Sequence, residues 1–567
     1  MSTAVRRFFA LATITVALLL AGGAIAPAAL AAPPPTHTRH AGIDLDATTI
    51  PQLEWLMDHH RLTSVQLVHF YLHRIKKLNP ELHAIITVSP TALADARAAD
   101  SARRHGSHLP LLGIPIIVKD NIDTTGMPTT AGSWALAGSS PGDAFIIQRL
   151  RAAGALVIAK ANLSEWANFR SAPSSSGWSG IGGQTNMPYV LDRNPCGSSS
   201  GSGVAAAADL AVAAVGTETD GSVVCPSGAN ADVGIKPTLG LLSRVGIVPI
   251  SADQDTAGPI TRNVTDAAAL LGAMTGIDPN DAATAAQAGH ASTDYTQFLD
   301  SHALEGARIG VWRTGTYDPT VSPEVDAIMN QTVAALRAAG ATVVDETRIP
   351  IEPAYGPEFD ALLCEFKTDI ASYLHAYTAA GYPKTLQDLI DFNNAHPGLE
   401  GPWNSLIFDL AQATGGRPDP DCTAARAFAT STAQAAINDT LAANHLDAII
   451  APTNGPAWVT DPVNGDLGGD FSTFVGSSSP SAIAGYPDIT VPAGFVGHLP
   501  VGVSFIGGRW DEPQLIALAY AFEQATHVRV PPTFLPTETA SSSATHGGAS
   551  HRAVPGRNGY WRMPATR

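Results

Sequence analysis

Two Gly-rich turns in the middle of the chain carry serines, and a lysine ends an apolar run upstream of both. Ser198 lies in CGSSSGSG, Ser222 lies in GTETDGS, and Lys119 follows the apolar letters GIPIIV. A serine hydroxyl is a weak nucleophile until a neighbouring base takes its proton, and a lysine amine can be that base. These residues therefore predict catalysis by a serine nucleophile that needs no histidine.

The GTETDGS turn also offers backbone donors for negative charge. Gly221 permits a positive φ and lets the backbone approach a ligand closely. The amides around it can then turn toward one point and hold the charge that develops on an attacked carbonyl oxygen. We therefore expect an oxyanion hole next to the nucleophile Ser222. Its predicted donors are the backbone N–H groups of Thr219, Asp220, Gly221 and Ser222.

Lys119 must be neutral to accept a proton, whereas an unperturbed lysine has a pKa of about 10.4. Burial lowers the pKa of a lysine, and the run Ile114–Val118 predicts a strand that carries Lys119 into an apolar interior. Asp120 would keep the ammonium charged if the two side chains met. Adjacent side chains of a strand point to opposite faces, so we expect them to be apart.

The three motifs, in this order, resemble those of the amidase signature family of amide hydrolases. The similarity runs from Thr63 to Val530 and includes the segments KANLSEWANFR, SGWSGIGGQTNMPY and DQDTAGPITRNVTDAA. It implies that Lys119 is the base, that Ser198 is a bridging serine after a cis non-proline peptide bond, and that Ser222 is the nucleophile.

The motif pattern is closest to the branch that contains bacterial peptide amidases. The resemblance implies that the C-terminal amide of a peptide is hydrolysed through an acyl-enzyme on Ser222, with Ser198 and Lys119 relaying the proton. Many family members carry an arginine shortly after the nucleophile, where this chain has Val224. This difference favours neutral acyl groups.

Three other functions remain open at this point. An amidase of the same family could act on aryl or aliphatic carboxamides with the same residues. The letters GSSSG also fit the G-x-S-x-G nucleophile elbow of an α/β-hydrolase-type serine esterase, with Ser199 as the nucleophile, although the preceding YVLDRNPC is a polar turn and not a strand. A secreted binding protein that has lost its catalytic activity is the third.

The elements around the motifs alternate between strands and helices. Ile114–Val118 and Ala155–Lys160 are predicted strands with a helix, AFIIQRLRAAG, between them, and the alanine-rich segment between the two serine turns predicts a helix and then a strand. Leu62–Ile75 predicts a helix capped by Thr63 or Ser64. Alternation of this kind indicates an α/β fold. The resemblance implies one large domain, with a mixed, mostly parallel sheet covered by helices on both faces.

The ends of the chain predict export and processing. Residues 1–31 have the basic start, apolar middle and Ala-Leu-Ala end of a signal peptide, and Arg6 and Arg7 leave both the Sec and the Tat route open. A linker over 32–45, a catalytic domain over 46–535 and a disordered tail over 536–567 would follow. We therefore expect a secreted protein.

Charge and motif content narrow the expected partners. A net charge of −17 argues against nucleic acid and anionic membranes as partners. We expect the protein to bind a small-molecule or peptide amide and, once the signal is removed, no membrane. We also expect it to be a monomer. The sequence has no metal-binding or nucleotide-binding motif, which predicts no cofactor. Cys196 and Cys225 flank the catalytic turns and are either paired or small buried apolar residues, and pairing of Cys364 with Cys422 is also open.

Overall fold

A mixed sheet of eleven strands runs through the middle of the molecule. The computed structural model describes residues 39–40, 42–313, 322–468 and 475–538, which belong to one compact unit. Two short ribbons accompany the sheet. In chain order the described strands are β1 (Arg39–His40), β2 (Ile43–Asp44), β3 (Ile85–Val88), β4 (Pro115–Lys119), β5 (Leu156–Ala161), β6 (Trp178–Ser179), β7 (Gly183–Gln184), β8 (Ala213–Glu218), β9 (Val233–Lys236), β10 (Thr256–Thr261), β11 (Arg308–Trp312), β12 (Thr342–Thr347), β13 (Ala448–Pro452), β14 (Asp488–Val496) and β15 (Leu499–Ile506).

The strand order of the large sheet is β12-β11-β13-β15-β14-β9-β10-β8-β4-β5-β3. Its parallel pairs lie in two flanks, β12-β11-β13 and β8-β4-β5. The mixed sheet that the resemblance implies is confirmed. The strands between these flanks pair antiparallel, and so do β3 and β5 at one edge. Neighbours such as β14 and β15 are joined by a tight turn at Gly497, with φ of 60°, and not by the crossover helix that a parallel pair requires.

Helices pack on both faces of this sheet, as predicted. The described α-helices are α1 (Ile50–Asp58), α2 (Ser64–Leu82), α3 (Ala92–Arg104), α4 (Phe145–Ala152), α5 (Ser200–Ala207), α6 (Val224–Ala229), α7 (Val264–Met274), α8 (Pro323–Ala338), α9 (Tyr355–Tyr377), α10 (Leu386–Ala395), α11 (Leu406–Ala413), α12 (Pro420–Asn444), α13 (Ser479–Ala484) and α14 (Glu512–Thr526). Helices α5 and α6 contact each other and the central strands, whereas α7, α8 and α14 form a second group on the same strands. Within the described part of the chain, no helix combines the length and apolar composition needed to cross a bilayer.

The local predictions near the motifs are confirmed. Helix α2 begins at Ser64, and Thr63 caps it by accepting a hydrogen bond from the Gln66 N–H. Strands β4 and β5 are parallel neighbours connected through α4, and the alanine-rich segment forms α5 and then β8. Both strands of the β4–β8 pair are buried along their whole length, which explains their continuous apolar sequences.

Contacts are present within both the predicted linker and the predicted tail. The predicted linker extends to residue 45, yet β1 pairs with β2 within it through His40 and Ile43. At the other end, Glu538 lies within the predicted tail, and its carboxylate contacts the ring of His498. The predicted signal peptide and most of the predicted tail lie outside the described residues.

Candidate active site

Strands β4 and β8 lie side by side and in parallel, and their ends bring the predicted base to its partners. Lys119 is the last residue of β4. Its Nζ lies 2.8 Å from Ser198 Oγ, 2.9 Å from Thr217 Oγ1 and 3.1 Å from the Thr217 carbonyl oxygen. Asn121 Nδ2 donates a second hydrogen bond, of 2.9 Å, to Thr217 Oγ1. The structure therefore brings Lys119 and Ser198 into direct contact.

The surroundings of Lys119 favour its neutral form. The side chain is completely buried, and this desolvation lowers the pKa of Lys119 to about 7, against the opposing influence of the carboxylates of Asp255 and Glu218. Asp120 does not contact it: its carboxylate accepts a hydrogen bond from the Thr130 N–H on the other side of the strand. The expected separation of Lys119 from Asp120 is confirmed, and a substantial fraction of Lys119 is neutral near pH 7.

The two serine turns meet in space. The Gly197–Ser198 peptide bond is cis, as the resemblance implies. The N–H of Ser199 donates to the Ser222 carbonyl at 3.2 Å, and a disulfide links Cys196 to Cys225, with Cα atoms 6.0 Å apart. Ser198 is fully buried, whereas Ser222 retains 8% of its exposure. Of these two serines, Ser222 is the more exposed.

The hydroxyl of Ser199, the alternative nucleophile, is hydrogen-bonded to the backbone of Thr217. Its Oγ donates to the Thr217 carbonyl at 3.0 Å and accepts from the Thr217 N–H at 3.2 Å. The side chain is completely buried. Before it, the nearest described strand is β7, which ends at Gln184. A nucleophile elbow needs a strand directly before an exposed serine, so this geometry does not support the esterase alternative.

The amides that follow Ser222 are already in use. Glu218, at the end of β8, folds its carboxylate back over the turn, and Oε2 accepts from the N–H groups of Val223 at 2.7 Å and Val224 at 3.0 Å. The Val224 side chain is buried in α6. These two amides therefore hold the turn in place and are not available to a substrate.

The backbone N–H groups that precede Val223 in the turn have no partner in the described structure. Among the described residues, the N–H groups of Thr219, Asp220, Gly221 and Ser222, the four predicted donors, donate no hydrogen bond. Gly221 has φ of 78°, the positive value expected from the sequence. Its carbonyl accepts from the Cys225 N–H at 2.8 Å. Because a trans peptide unit points its C=O and N–H in opposite directions, this bond turns the Ser222 N–H away from α6.

Three side chains that brace the turn were not predicted from the sequence. Thr219 Oγ1 donates to Asp255 Oδ1 at 2.6 Å, Gln254 Nε2 donates to the Thr219 carbonyl at 3.0 Å, and Ser478 Oγ donates to Asp220 Oδ1 at 2.5 Å. Burial raises the pKa of Asp255 to about 7. The polar letters DQD in SADQDTAGP were the available signal, since polar residues next to an apolar strand often serve a site.

The family assignment agrees with this geometry. The chain belongs to the Amidase family, which matches residues 66–516. The native peptide amidase of Stenotrophomonas maltophilia is similar in structure, with a TM-score of 0.81 and 46% identity over 86% of this chain and 99% of that one. The protein is thus an amidase-type hydrolase whose fold is that of a peptide amidase.

Two curated relatives show how far the similarity extends. A probable amidase of Arabidopsis thaliana is 41% identical over 87% of this chain and 92% of its own length. A glutamyl-tRNA(Gln) amidotransferase component from Symbiobacterium thermophilum is 34% identical over 82% of this chain and 94% of its own. The similarity thus extends over more than four fifths of this chain, to relatives whose names differ.

Proposed function

We propose that this protein releases ammonia from the C-terminal amides of peptides. The observation that carries the proposal is the buried contact between Lys119 and Ser198, next to the more accessible Ser222. The similarity to a peptide amidase over 99% of that chain supports the choice of substrate.

In the proposed first half-reaction, Ser222 Oγ forms a bond to the amide carbon while its proton passes to Ser198. Ser198 in turn gives its own proton to neutral Lys119. The carbonyl oxygen becomes negative and is held by N–H groups among those of Thr219, Asp220, Gly221 and Ser222. The relay then returns a proton to the nitrogen as the C–N bond breaks, which leaves ammonia and an ester on Ser222.

In the second half-reaction, water attacks the ester carbon and gives its proton to the same relay. The C–O bond to Ser222 breaks, and Ser222 regains its proton as the carboxylic acid leaves. Lys119 is neutral at the start and at the end, so no cofactor is consumed. The base only has to alternate between two states that its pKa of about 7 makes similar in free energy.

The test of the chemistry is ammonia release by the purified protein and by single variants. Ser222→Ala should reduce turnover to background, and Lys119→Ala should lower kcat by roughly 100- to 10,000-fold, the usual contribution of a general base. A fluorophosphonate should label the wild type at Ser222, as located by peptide mass mapping. Full activity in Ser222→Ala with loss in Ser199→Ala would favour the esterase alternative, and no labelling would favour a binding protein.

The test of the substrate is a panel of peptide amides, free amino-acid amides and benzamide-type compounds. Peptide amides should give the highest kcat/KM. Equal or higher values for the small amides would instead favour the aryl or aliphatic carboxamide amidase. The net charge of −17 supports an uncharged substrate over tRNA, because a polyanion would be repelled.

We also propose that the protein is exported and acts as a monomer outside the cell. The basic, apolar and small-residue order of residues 1–31 supports export. The N-terminal sequence of the protein recovered from the culture medium should begin near Ala32. Retention of the full chain inside the cell would contradict this proposal.

A further inference from the structure

A buried glutamine lies between the catalytic turn and two long helices. Gln254 is 1% exposed. Its Nε2 donates to the Thr219 carbonyl at 3.0 Å and to Glu358 Oε1 at 2.7 Å, and its Oε1 accepts from Arg426 Nη1 at 2.7 Å. All of its amide atoms are thus in use. Glu358 belongs to α9 and Arg426 to α12, so one side chain joins both helices to the turn.

The orientation of this amide follows from its partners. A guanidinium has only donors, so the atom that faces Arg426 must be the oxygen of Gln254. The nitrogen therefore faces the two acceptors, Glu358 and the Thr219 carbonyl. Arg426 is itself fixed by Glu365, whose two oxygens accept from Nε at 2.8 Å and from Nη2 at 2.6 Å. Such a bidentate pair sets direction as well as distance.

A disulfide also links α9 to α12, close to Glu365 and Arg426. Cys364 of α9 is bonded to Cys422 of α12, with Cα atoms 6.1 Å apart. Cys364 precedes Glu365 directly, and Cys422 lies one helical turn before Arg426, where side chains share a helix face. The support for Gln254 is therefore rigid on the side away from the catalytic turn.

The hydrogen bond to Thr219 determines where a neighbouring N–H points. The Thr219 carbonyl and the Asp220 N–H belong to one planar peptide unit, and in a trans unit they point in opposite directions. Among the described residues, the only cis bond is Gly197–Ser198. Holding the carbonyl toward Gln254 therefore turns the Asp220 N–H away from Gln254. That N–H is one of the amides with no partner within the described structure.

We propose that Gln254 is a positioning residue that aims the Asp220 N–H into the oxyanion hole, with Arg426, Glu365 and the α9–α12 disulfide as its support. The inference rests on the proposed amide hydrolysis at Ser222. Gln254 acts through the Thr219–Asp220 peptide unit and does not need to touch the substrate. Its loss should therefore weaken binding of the transition state more than binding of the substrate.

The chain contains a matched control in Gln287. This glutamine is 3% exposed, and its Nε2 donates to the carbonyls of Gly240, Leu241 and Gly276. It also braces a loop through backbone carbonyls, but none of them belongs to the catalytic turn. Replacing either glutamine by methionine keeps the approximate side-chain volume and removes the hydrogen bonds.

The experiment compares Gln254→Met and Gln287→Met in the full-length protein, with a peptide amide as substrate. For Gln254→Met we expect kcat to fall roughly 10- to 100-fold with KM within about twofold, a smaller loss than removal of an oxyanion donor causes. Affinity for a peptide aldehyde, which forms a tetrahedral adduct with serine, should fall by a similar factor, and affinity for the product acid should not. Gln287→Met should lower the unfolding midpoint with kcat unchanged.

Gln254→Leu is the second variant if Gln254→Met does not fold, because its apolar side chain cannot donate to Thr219 and places no second carboxylate beside Glu358. It should show the same fall in kcat. Suppose that the wild type releases ammonia and is labelled at Ser222, and that kcat of the folded Gln254 variant stays within twofold of the wild-type value. The proposed role of Gln254 is then refuted, and the proposed amide hydrolysis stands. A wild type that neither turns over nor is labelled refutes the proposed function and this inference with it.

Discussion

The contacts of Lys119 suit a neutral amine. A neutral amine has two N–H groups and one lone pair, and three oxygen atoms lie within 3.1 Å of Nζ. The Thr217 carbonyl can only accept, and Thr217 Oγ1 can accept the second N–H. This arrangement leaves the lone pair facing Ser198 Oγ, the group whose proton it takes in the proposed relay. Thr217 thus orients the base as well as contacting it.

The pH dependence of kcat/KM should follow the protonation of Lys119. Since the pKa of Lys119 is lowered to about 7, most of the enzyme carries a protonated base below this pH. The value of kcat/KM should therefore fall about tenfold per pH unit below about pH 7 and level off above it. Initial rates from pH 5 to 9 on a peptide amide measure this profile.

Lys119→Arg is the companion variant, because a guanidinium stays protonated over this whole range. It should show no rise in kcat/KM between pH 5 and 9. A wild-type profile that is flat below pH 7, or an arginine variant that keeps the wild-type limb, would contradict the assignment of Lys119 as the base.

The residues that could be predicted from the sequence are those with a chemical motif. Lys119, Ser198 and Ser222 stand in short patterns whose residue types already indicate their chemistry. Gln254 and Arg426 do not, because their role comes from contact between segments 172 positions apart. No local pattern marks a glutamine whose partners lie on two distant helices.

At the level of elements, close packing of α5 against neighbouring backbone positions residues of the candidate active site. A Cβ at Gly201 would lie 2.4 Å from the Ala84 carbonyl oxygen, and one at Gly203 would lie 2.9 Å from that of Pro226. The glycines of GSSSGSG therefore permit α5 to pack against neighbouring backbone. This packing holds Ser198, which lies just before α5, beside β4. The helix itself could be predicted from its alanine-rich sequence, but its close contacts with distant backbone could not.

Removing each of the two disulfides should change stability and kcat to different extents. Their closed loops, with separations of 29 and 58 positions, contribute about 3.5 and 4 kcal/mol to the free energy of unfolding in the chain-entropy account. Cys196–Cys225 also ties the two catalytic turns together. We expect the double variant Cys196→Ser/Cys225→Ser to lower both stability and kcat. Cys364→Ser/Cys422→Ser should lower stability with a smaller fall in kcat, because this disulfide reaches the catalytic turn only through the support of Gln254.

Urea unfolding and ammonia release measure the two effects on each double variant. The Cys364–Cys422 variant is the comparison, since it removes a disulfide of greater loop length that acts on the turn only indirectly, through Gln254 and its partners. An unchanged kcat in the Cys196–Cys225 variant would show that hydrogen bonds alone, such as that between Ser199 and Ser222, hold the turns together.

The whole molecule depends on pairings that local patterns do not specify. The sequence predicts an α/β domain because strands and helices alternate, and the family fold supplies its size. The order of the sheet, however, places β8 between β10 and β4, and β13 between β11 and β15. Such neighbours are chosen by which apolar faces fit across the sheet, so their order could not be predicted from the periodicity of any single segment.

The two ends of the catalytic unit are joined by an ion pair, and breaking it should destabilise the whole fold. Arg529, which follows α14, donates from Nη1 and Nη2 to the two carboxylate oxygens of Asp46, at 2.8 and 3.0 Å. Burial alone would raise the pKa of Asp46, but Arg529 and Arg262 hold it below its usual value. The carboxylate is therefore charged and paired in the native state.

Arg529→Met should lower the free energy of unfolding by about 3 kcal/mol, the lower end for a broken buried pair, because Arg262 stays 3.8 Å from Asp46. Asp46→Asn/Arg529→Met should cost less than the sum of the two single changes. A depressed native pKa means that the pair contributes fully above the usual aspartate pKa of about 4, and that this contribution is lost as the pH falls through the lower native value. Urea unfolding at pH 7 and pH 3 measures both effects, and additive single changes would show that the pair does not couple the two ends.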